Sequence, residues 1–265
     1  MLIKLMKHEW KGTYKTFLLM YGILLLLSIS MMIGIQTKSD WLIRITVGLM
    51  GLSMFSVCLG YGVMVFWRYY KNLYGSEGYL MFTLPVSGWQ LLTSKLLTSV
   101  LWGILTVIVG LICGGIILIP AISYVEAGFY KVFMDQLWQG IHFVGMDNII
   151  LGLFIILAMV IASILEVYFI ITAVHLPFIR RGKVIVGLLL AYVLDRIESF
   201  IMTNLAPSGL KEAAEALIDN SAPNAMEVIQ VYHSGGLFIL LIMIALAAIY
   251  FAATTFILSK KVSIK

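Results

Sequence analysis

Charge is scarce in this 265-residue chain: 12% of its residues are charged and 62% are hydrophobic, whereas a soluble domain is about a quarter charged and about half apolar. A chain so poor in charge cannot cover itself with polar surface, which excludes an ordinary water-soluble fold of this length. Cysteine is nearly absent as well. Cys58 and Cys113 both lie inside apolar runs, which excludes a disulfide framework and leaves them as small packing residues. Also missing are a G-x-x-x-x-G-K-[ST] phosphate loop, an H-E-x-x-H helix and a Cys/His cluster with zinc spacing. The four histidines, His8, His142, His175 and His233, are scattered along the chain. No metal and no cofactor is expected in this chain. Although Lys11 and Lys15 precede an apolar run from Phe17, no convincing small-x-small cleavage site follows, so the run reads as an uncleaved first span.

What the chain does have is apolar blocks. A helix needs about 20 apolar residues to cross roughly 30 Å of hydrocarbon, and six segments qualify: 17–35, 41–67, 96–119, 149–178, 184–205 and 237–258. Each is continuously apolar rather than alternating, so helices are expected instead of barrel strands. The fold class is all-α, a single polytopic membrane domain over 1–265.

The net charge of +5 sits in short flanks beside the apolar blocks, a pattern of bilayer orientation rather than nucleic-acid binding. With the amino terminus inside, 13 of the 18 basic residues fall on the cytoplasmic side with two acids, Glu9 and Glu77, while the outer loops hold three basic residues and eight acids. Both termini are therefore expected in the cytoplasm of a cell membrane. Lys4, Lys7, Lys11 and Lys15 lie at helical spacing beside an arc of Ile3, Met6, Trp10, Tyr14 and Phe17. This predicts an interfacial helix over 1–16, lying along the inner leaflet before the chain turns into the first span; a polybasic flank with no defined helix is the simpler alternative. Two outer loops carry helical periodicity, one at Phe129, Phe133, Leu137, Ile141 and Val144 and one over 210–220.

The inner loop 68–90 between the second and third spans is longer than a turn requires. Between Gly75 and Pro85 it offers a short helix with Ser76 as a cap, Glu77 in the first turn, and Tyr79, Leu80, Phe82 and Leu84 as apolar surface. Such a helix wants a cytoplasmic partner or the membrane surface. Four ionisable residues, Glu166, Asp195, Arg196 and Glu198, fall at bilayer depth on consecutive antiparallel spans. They either tie the spans together, with Arg196 meeting Glu166 or a neighbouring acid, or form a polar lining or protonatable pair.

The basic amphipathic start, the six spans, and the run Glu77-Gly78-Tyr79-Leu80-Met81-Phe82-Thr83-Leu84-Pro85-Val86-Ser87 followed by Leu91-Leu92-Thr93-Ser94-Lys95 together resemble the transmembrane subunits of bacterial type 2 ABC exporters. Related permeases carry a similar acidic-x-x-Leu-x-x-Thr-Leu-Pro-x-Ser stretch and a Lys opening the third span. Gly88-Trp89 stands where many of them place a basic residue. The resemblance implies a coupling helix, with Tyr74, Glu77, Tyr79, Leu80, Phe82, Leu84 and Pro85 docking on a separate ABC subunit that binds ATP and Mg. It also implies a second permease copy or paralogue enclosing a path for an amphiphilic, peptide or lipid-like substrate. A membrane sensor or assembly factor that transports nothing is the alternative, and an intramembrane enzyme using Glu166, Asp195 or Glu198 a third.

Overall fold

The computed structural model describes residues 2–75, 87–125, 129–176, 179, 182–208 and 225–263. Among these the secondary structure is helical throughout: α1 Leu2–Gln36, α2 Asp40–Tyr74, α3 Gly88–Val125, α4 Phe129–Val144, α5 Met146–Val174, α6 Lys183–Leu205 and α7 Ala225–Ser263. Five of them, α1, α2, α3, α5 and α7, are long and apolar enough to cross a membrane, which makes the chain a multi-pass membrane protein. At 23 residues, α6 carries Asp195, Arg196 and Glu198 in its second half and does not meet that standard by composition. The periodic segment beginning at Phe129 is the helix α4, whereas 210–220 lies outside the described residues.

The chain divides into two compact units, Met1–Trp138 and Gln139–Lys265. In the first, α1 packs against both α2 and α3. The α1–α2 connection is tight: Lys38 takes the left-handed conformation at φ 52°, Ser39 N–H donates to the Gly34 carbonyl at 3.1 Å, and a Cβ on Gly34 would press on Leu42 and Ile43 side-chain atoms at 3.3 Å. A larger residue there would require Leu42 and Ile43 to give way, so glycine eases the close approach.

Trp102 of α3 is the centre of this unit. One side of its indole stacks with Trp10 at 4.4 Å and it also stacks with Phe17 at 4.2 Å, while its Nε1–H donates to Thr13 Oγ1 at 2.9 Å. One turn along, Tyr21 and Thr106 share a 2.6 Å hydrogen bond, and Tyr61 of α2 donates to the Ser99 carbonyl at 3.0 Å. Leu24, Val57 and Cys113 complete the core; Cys113 thus packs as expected, while Cys58 is exposed.

The structure corrects the expected turn between an interfacial segment and the first span. α1 runs unbroken for 35 residues, about 52 Å at the usual rise and well beyond the hydrocarbon thickness. Its buried stripe, Glu9, Thr13, Phe17, Tyr21, Leu24 and Ser28, passes straight through the expected bend, because the same partner helices bind it on both sides of residue 16. Ile3 and Tyr14, from the apolar arc, are exposed instead.

In the second unit α7 lies along α5, with α6 more loosely held against α5. Leu151, Ala158, Ala162, Leu165 and Tyr168 of α5 and Leu246, Tyr250 and Leu258 of α7 are buried. Gly236 brings the helices close: a Cβ there would stand 3.0 Å from Leu151 Cδ2 and 3.1 Å from Ile155 Cδ1. Next to it His233 Nδ1 meets Asn148 Oδ1 at 3.0 Å.

Replacing Trp102 by Ala removes both ring stacks, a tilted contact with Tyr21 and the Thr13 bond, and the expected loss is about 3–5 kcal/mol. Thermal unfolding in detergent should show a much lower midpoint for Trp102→Ala, with Trp102→Phe recovering part of the difference.

Candidate functional site

The residues that dominate the first unit chemically are polar and buried at one end of it. Glu9 of α1 is 3% exposed. Its Oε1 accepts from Lys95 Nζ at 2.7 Å and from Asn72 Nδ2 at 3.1 Å, and its Oε2 accepts from Arg68 Nε. Lys95 is as enclosed as its partner, with 3% of its side chain exposed, against 21% for Arg68. One carboxylate therefore binds the end of α2, through Arg68 and Asn72, to the start of α3, through Lys95, and both to α1.

Local sequence explains how the site is assembled. Arg68 and Asn72 are four residues apart and share a face of α2. Gly12, one turn beyond Glu9, makes room for the guanidinium: a Cβ on it would fall 2.8 Å from Arg68 Nη2. Thr13 turns its hydroxyl back to the Glu9 carbonyl at 3.2 Å and the Trp10 carbonyl at 3.0 Å while receiving the Trp102 N–H. The charged cluster and the aromatic centre are thus one continuous contact. Glu9 lies ahead of the apolar run that starts at Phe17, about 12 Å along the helix axis. Burial pushes its carboxyl up, but the nearby Lys95 and Arg68 cations outweigh burial and hold it below the ordinary carboxylate value. Glu9 is ionised at neutral pH.

These residues bracket the segment expected to couple to a partner. α2 continues to Tyr74 and α3 begins at Gly88, so the connection is shorter than the expected 68–90, because the polar turns at each end pair with Glu9 and remain helical. Tyr74 is the last residue of α2. Glu77, Tyr79, Leu80, Phe82, Leu84 and Pro85 lie outside the described residues.

The second expected cluster divides. Arg196 turns to its neighbour Asp195, with Nη2 at 2.6 Å and Nε at 3.1 Å, and its guanidinium lies 5.6 Å from the Tyr192 ring centre; it does not pair with Glu166. Glu198 accepts from the Tyr250 hydroxyl of α7, whose ring packs 5.7 Å from Phe169 of α5. Glu166 is half-buried within electrostatic reach of Glu198 and Asp195. Asp195 and Arg196 lie on the exposed side of α6. Among the described residues no group of His, Cys, Asp and Glu is arranged to hold a metal ion.

Sequence reasoning treated Glu9 only as a minority charge in a basic segment. Its signal was there: it is the one acid among four lysines in the first 16 residues, it precedes Thr13 and Phe17 at four-residue spacing, and Lys95 opens the third apolar run. No family model, no curated protein and no solved structure matches this chain.

Glu9→Gln removes the carboxylate charge that Lys95 and Arg68 share, and should cost about 3–5 kcal/mol. Lys95→Met, which leaves Glu9 with Arg68, should cost less. Unfolding midpoints in detergent would rank the two, and the reverse order would contradict a hub at Glu9. Because the folded-state value of Glu9 is depressed, its contribution is complete above the ordinary carboxylate range and is lost as pH falls through that range toward the folded value. The Glu9→Gln protein should lack that part of the acid destabilisation.

Proposed function

We propose that this chain is the membrane-spanning permease subunit of an ATP-driven exporter of the type 2 ABC kind, with six spans and both termini in the cytoplasm of a bacterial cell membrane. ATP and Mg are bound by a separate ABC subunit. The chain itself catalyses no covalent chemistry, and its substrate is an amphiphilic, peptide or lipid-like molecule that passes between two permease subunits.

The observation that carries this reading is the Glu9 cluster. A loop that transmits force must be fixed at both ends, since a push on a hinged loop bends the hinge instead of tilting the spans. Arg68 and Asn72 stand just before the 75–87 connection, Lys95 stands just after it, and one buried carboxylate joins all three to α1. A displacement of the connection is passed to three helices together, as rigid-body tilting of packed elements requires. The apolar residues Tyr79, Leu80, Phe82 and Leu84 supply a surface for the ATPase to grip, and the resemblance of 77–95 to permease coupling segments points to the same role.

An ATP-binding ABC subunit sought in the neighbouring reading frame should co-purify with this chain. Tyr79→Glu or Leu84→Glu should abolish the association while leaving the unfolding midpoint of the permease unchanged; intact complexes would remove the docking role. Vesicles holding the wild-type complex should accumulate substrate only with ATP, whereas a non-transporting sensor would bind the ATPase and show no flux.

A further inference from the structure

We propose that the amino-terminal part of α1 and the end of α2 form a phosphate-binding site over Gly12, built from Arg68, Lys15, Thr16 and His8. Its occupant is the headgroup phosphate of a phospholipid in the leaflet that meets this part of α1. The inference goes beyond the transport reading and needs only that α1 and α2 cross a bilayer; coupling to an ATPase could fail while this site stands, and the reverse.

The charges of the Glu9 cluster do not balance. One carboxylate faces two cations, and the surplus lies on the Arg68 side, because Lys95 is enclosed against Glu9 while Arg68 keeps 21% of its side chain exposed. The Arg68 Nε is bonded to Glu9. Among the described residues neither Nη1 nor Nη2 bonds an acceptor, and both lie against Gly12, where a Cβ would fall 2.9 and 2.8 Å from them. Gly12 is itself exposed, so this edge of the guanidinium lies over open surface of α1.

α1 surrounds that edge with donors. Residues three and four positions apart are neighbours on a helix, which places His8, Lys15 and Thr16 around Gly12, and all three are exposed. No acid competes there: Glu9 is the one acid of the first 16 residues, and it is already held by Lys95 and Arg68. The straight course of α1 keeps Lys15 and Thr16 in line with His8. A guanidinium beside an ammonium and a hydroxyl suits phosphate oxygens, since Arg presents parallel N–H groups and charge-assisted bonds are about twice as strong as neutral ones.

Depth selects a lipid as the source of the phosphate. Gly12 stands about 7.5 Å before the apolar run that opens at Phe17, and Lys15 about 3 Å before it. Arg68 follows directly on the apolar run that closes at Trp67, whose exposed indole suits the headgroup level. Headgroups occupy about 5–8 Å on each side of the hydrocarbon, so the site stands at the height of the lipid phosphates. Lys4 lies on the same exposed line of α1 but about 20 Å out from Phe17, past that layer. It separates a built site from a general attraction of anionic lipid to basic residues.

The test uses the full chain, freed of bound lipid in detergent. Native mass spectrometry counts adducts during titration with phosphatidylglycerol, with diacylglycerol and with inorganic phosphate. Wild type should bind one phosphatidylglycerol saturably and no diacylglycerol. Lys15→Glu, which sets an acid beside the phosphate, should weaken that binding about tenfold or more. Lys4→Glu, the same change of charge on the same helix but more than a Debye length away, should leave it within about twofold. Both lysines are exposed, so both variants should keep the wild-type unfolding midpoint; Lys15→Gln repeats the comparison with a smaller change should Lys15→Glu fail to fold. No saturable phosphatidylglycerol adduct, an equally strong diacylglycerol adduct, no effect at Lys15, or equal weakening from Lys4→Glu would each overturn the site. Inorganic phosphate bound as tightly as the lipid, with the same dependence on Lys15, would overturn the lipid as occupant in favour of a soluble phosphate.

Discussion

A carboxylate enclosed between two cations is the constraint around which the first unit is arranged. Glu9 and Lys95 are both enclosed and face one another, with Arg68 on the other carboxylate oxygen; attraction in a poorly polarisable interior must offset desolvation on both sides. The three charges are therefore placed only when α1, α2 and α3 meet in one register. A slip of α1 by one residue would turn Glu9 away from Lys95 and carry Thr13 away from the Trp102 N–H. Apolar side chains could fill the same volume at similar or lower free energy, so what the cluster supplies is a unique alignment of the three helices beside the 75–87 connection.

The second unit handles its charges differently. Glu198 takes a hydroxyl donor from Tyr250 and lies near Glu166, whereas Asp195 and Arg196 answer one another on an exposed face. α5 and α7 hold together through close apolar packing at Gly236, Leu151, Tyr250 and Leu258, and α6 joins them through Glu198 on the Tyr250 hydroxyl. The first unit thus pairs its enclosed charges across helices, and the second keeps a complementary pair on the exposed side of one helix.

Much of the helical plan was legible because apolar runs of about 20 residues have few alternatives in lipid. The ends were not. α2 and α3 extend past their apolar limits to Tyr74 and back to Gly88 because Arg68, Asn72 and Lys95 find a partner, and that partner lies 59 and 86 residues away in sequence from Arg68 and Lys95. Local pattern could not supply such a pairing. The lysine arc over 1–16 suggested a surface helix, yet the face that packs is led by the single acid. In α6 the choice of Asp195 by Arg196 depended on side-chain reach that counting depth along the spans does not fix.

Glu9 locks the amino-terminal turns of α1 to the helices on either side of the 75–87 connection. Paired spin labels at Lys7 and Trp89, both exposed, in protein carrying Cys58→Ser and Cys113→Ala, measure that lock directly in lipid nanodiscs. A single narrow distance distribution that broadens on Glu9→Gln is the predicted result. A distribution already broad with Glu9 present, or one unchanged by its loss, would contradict it.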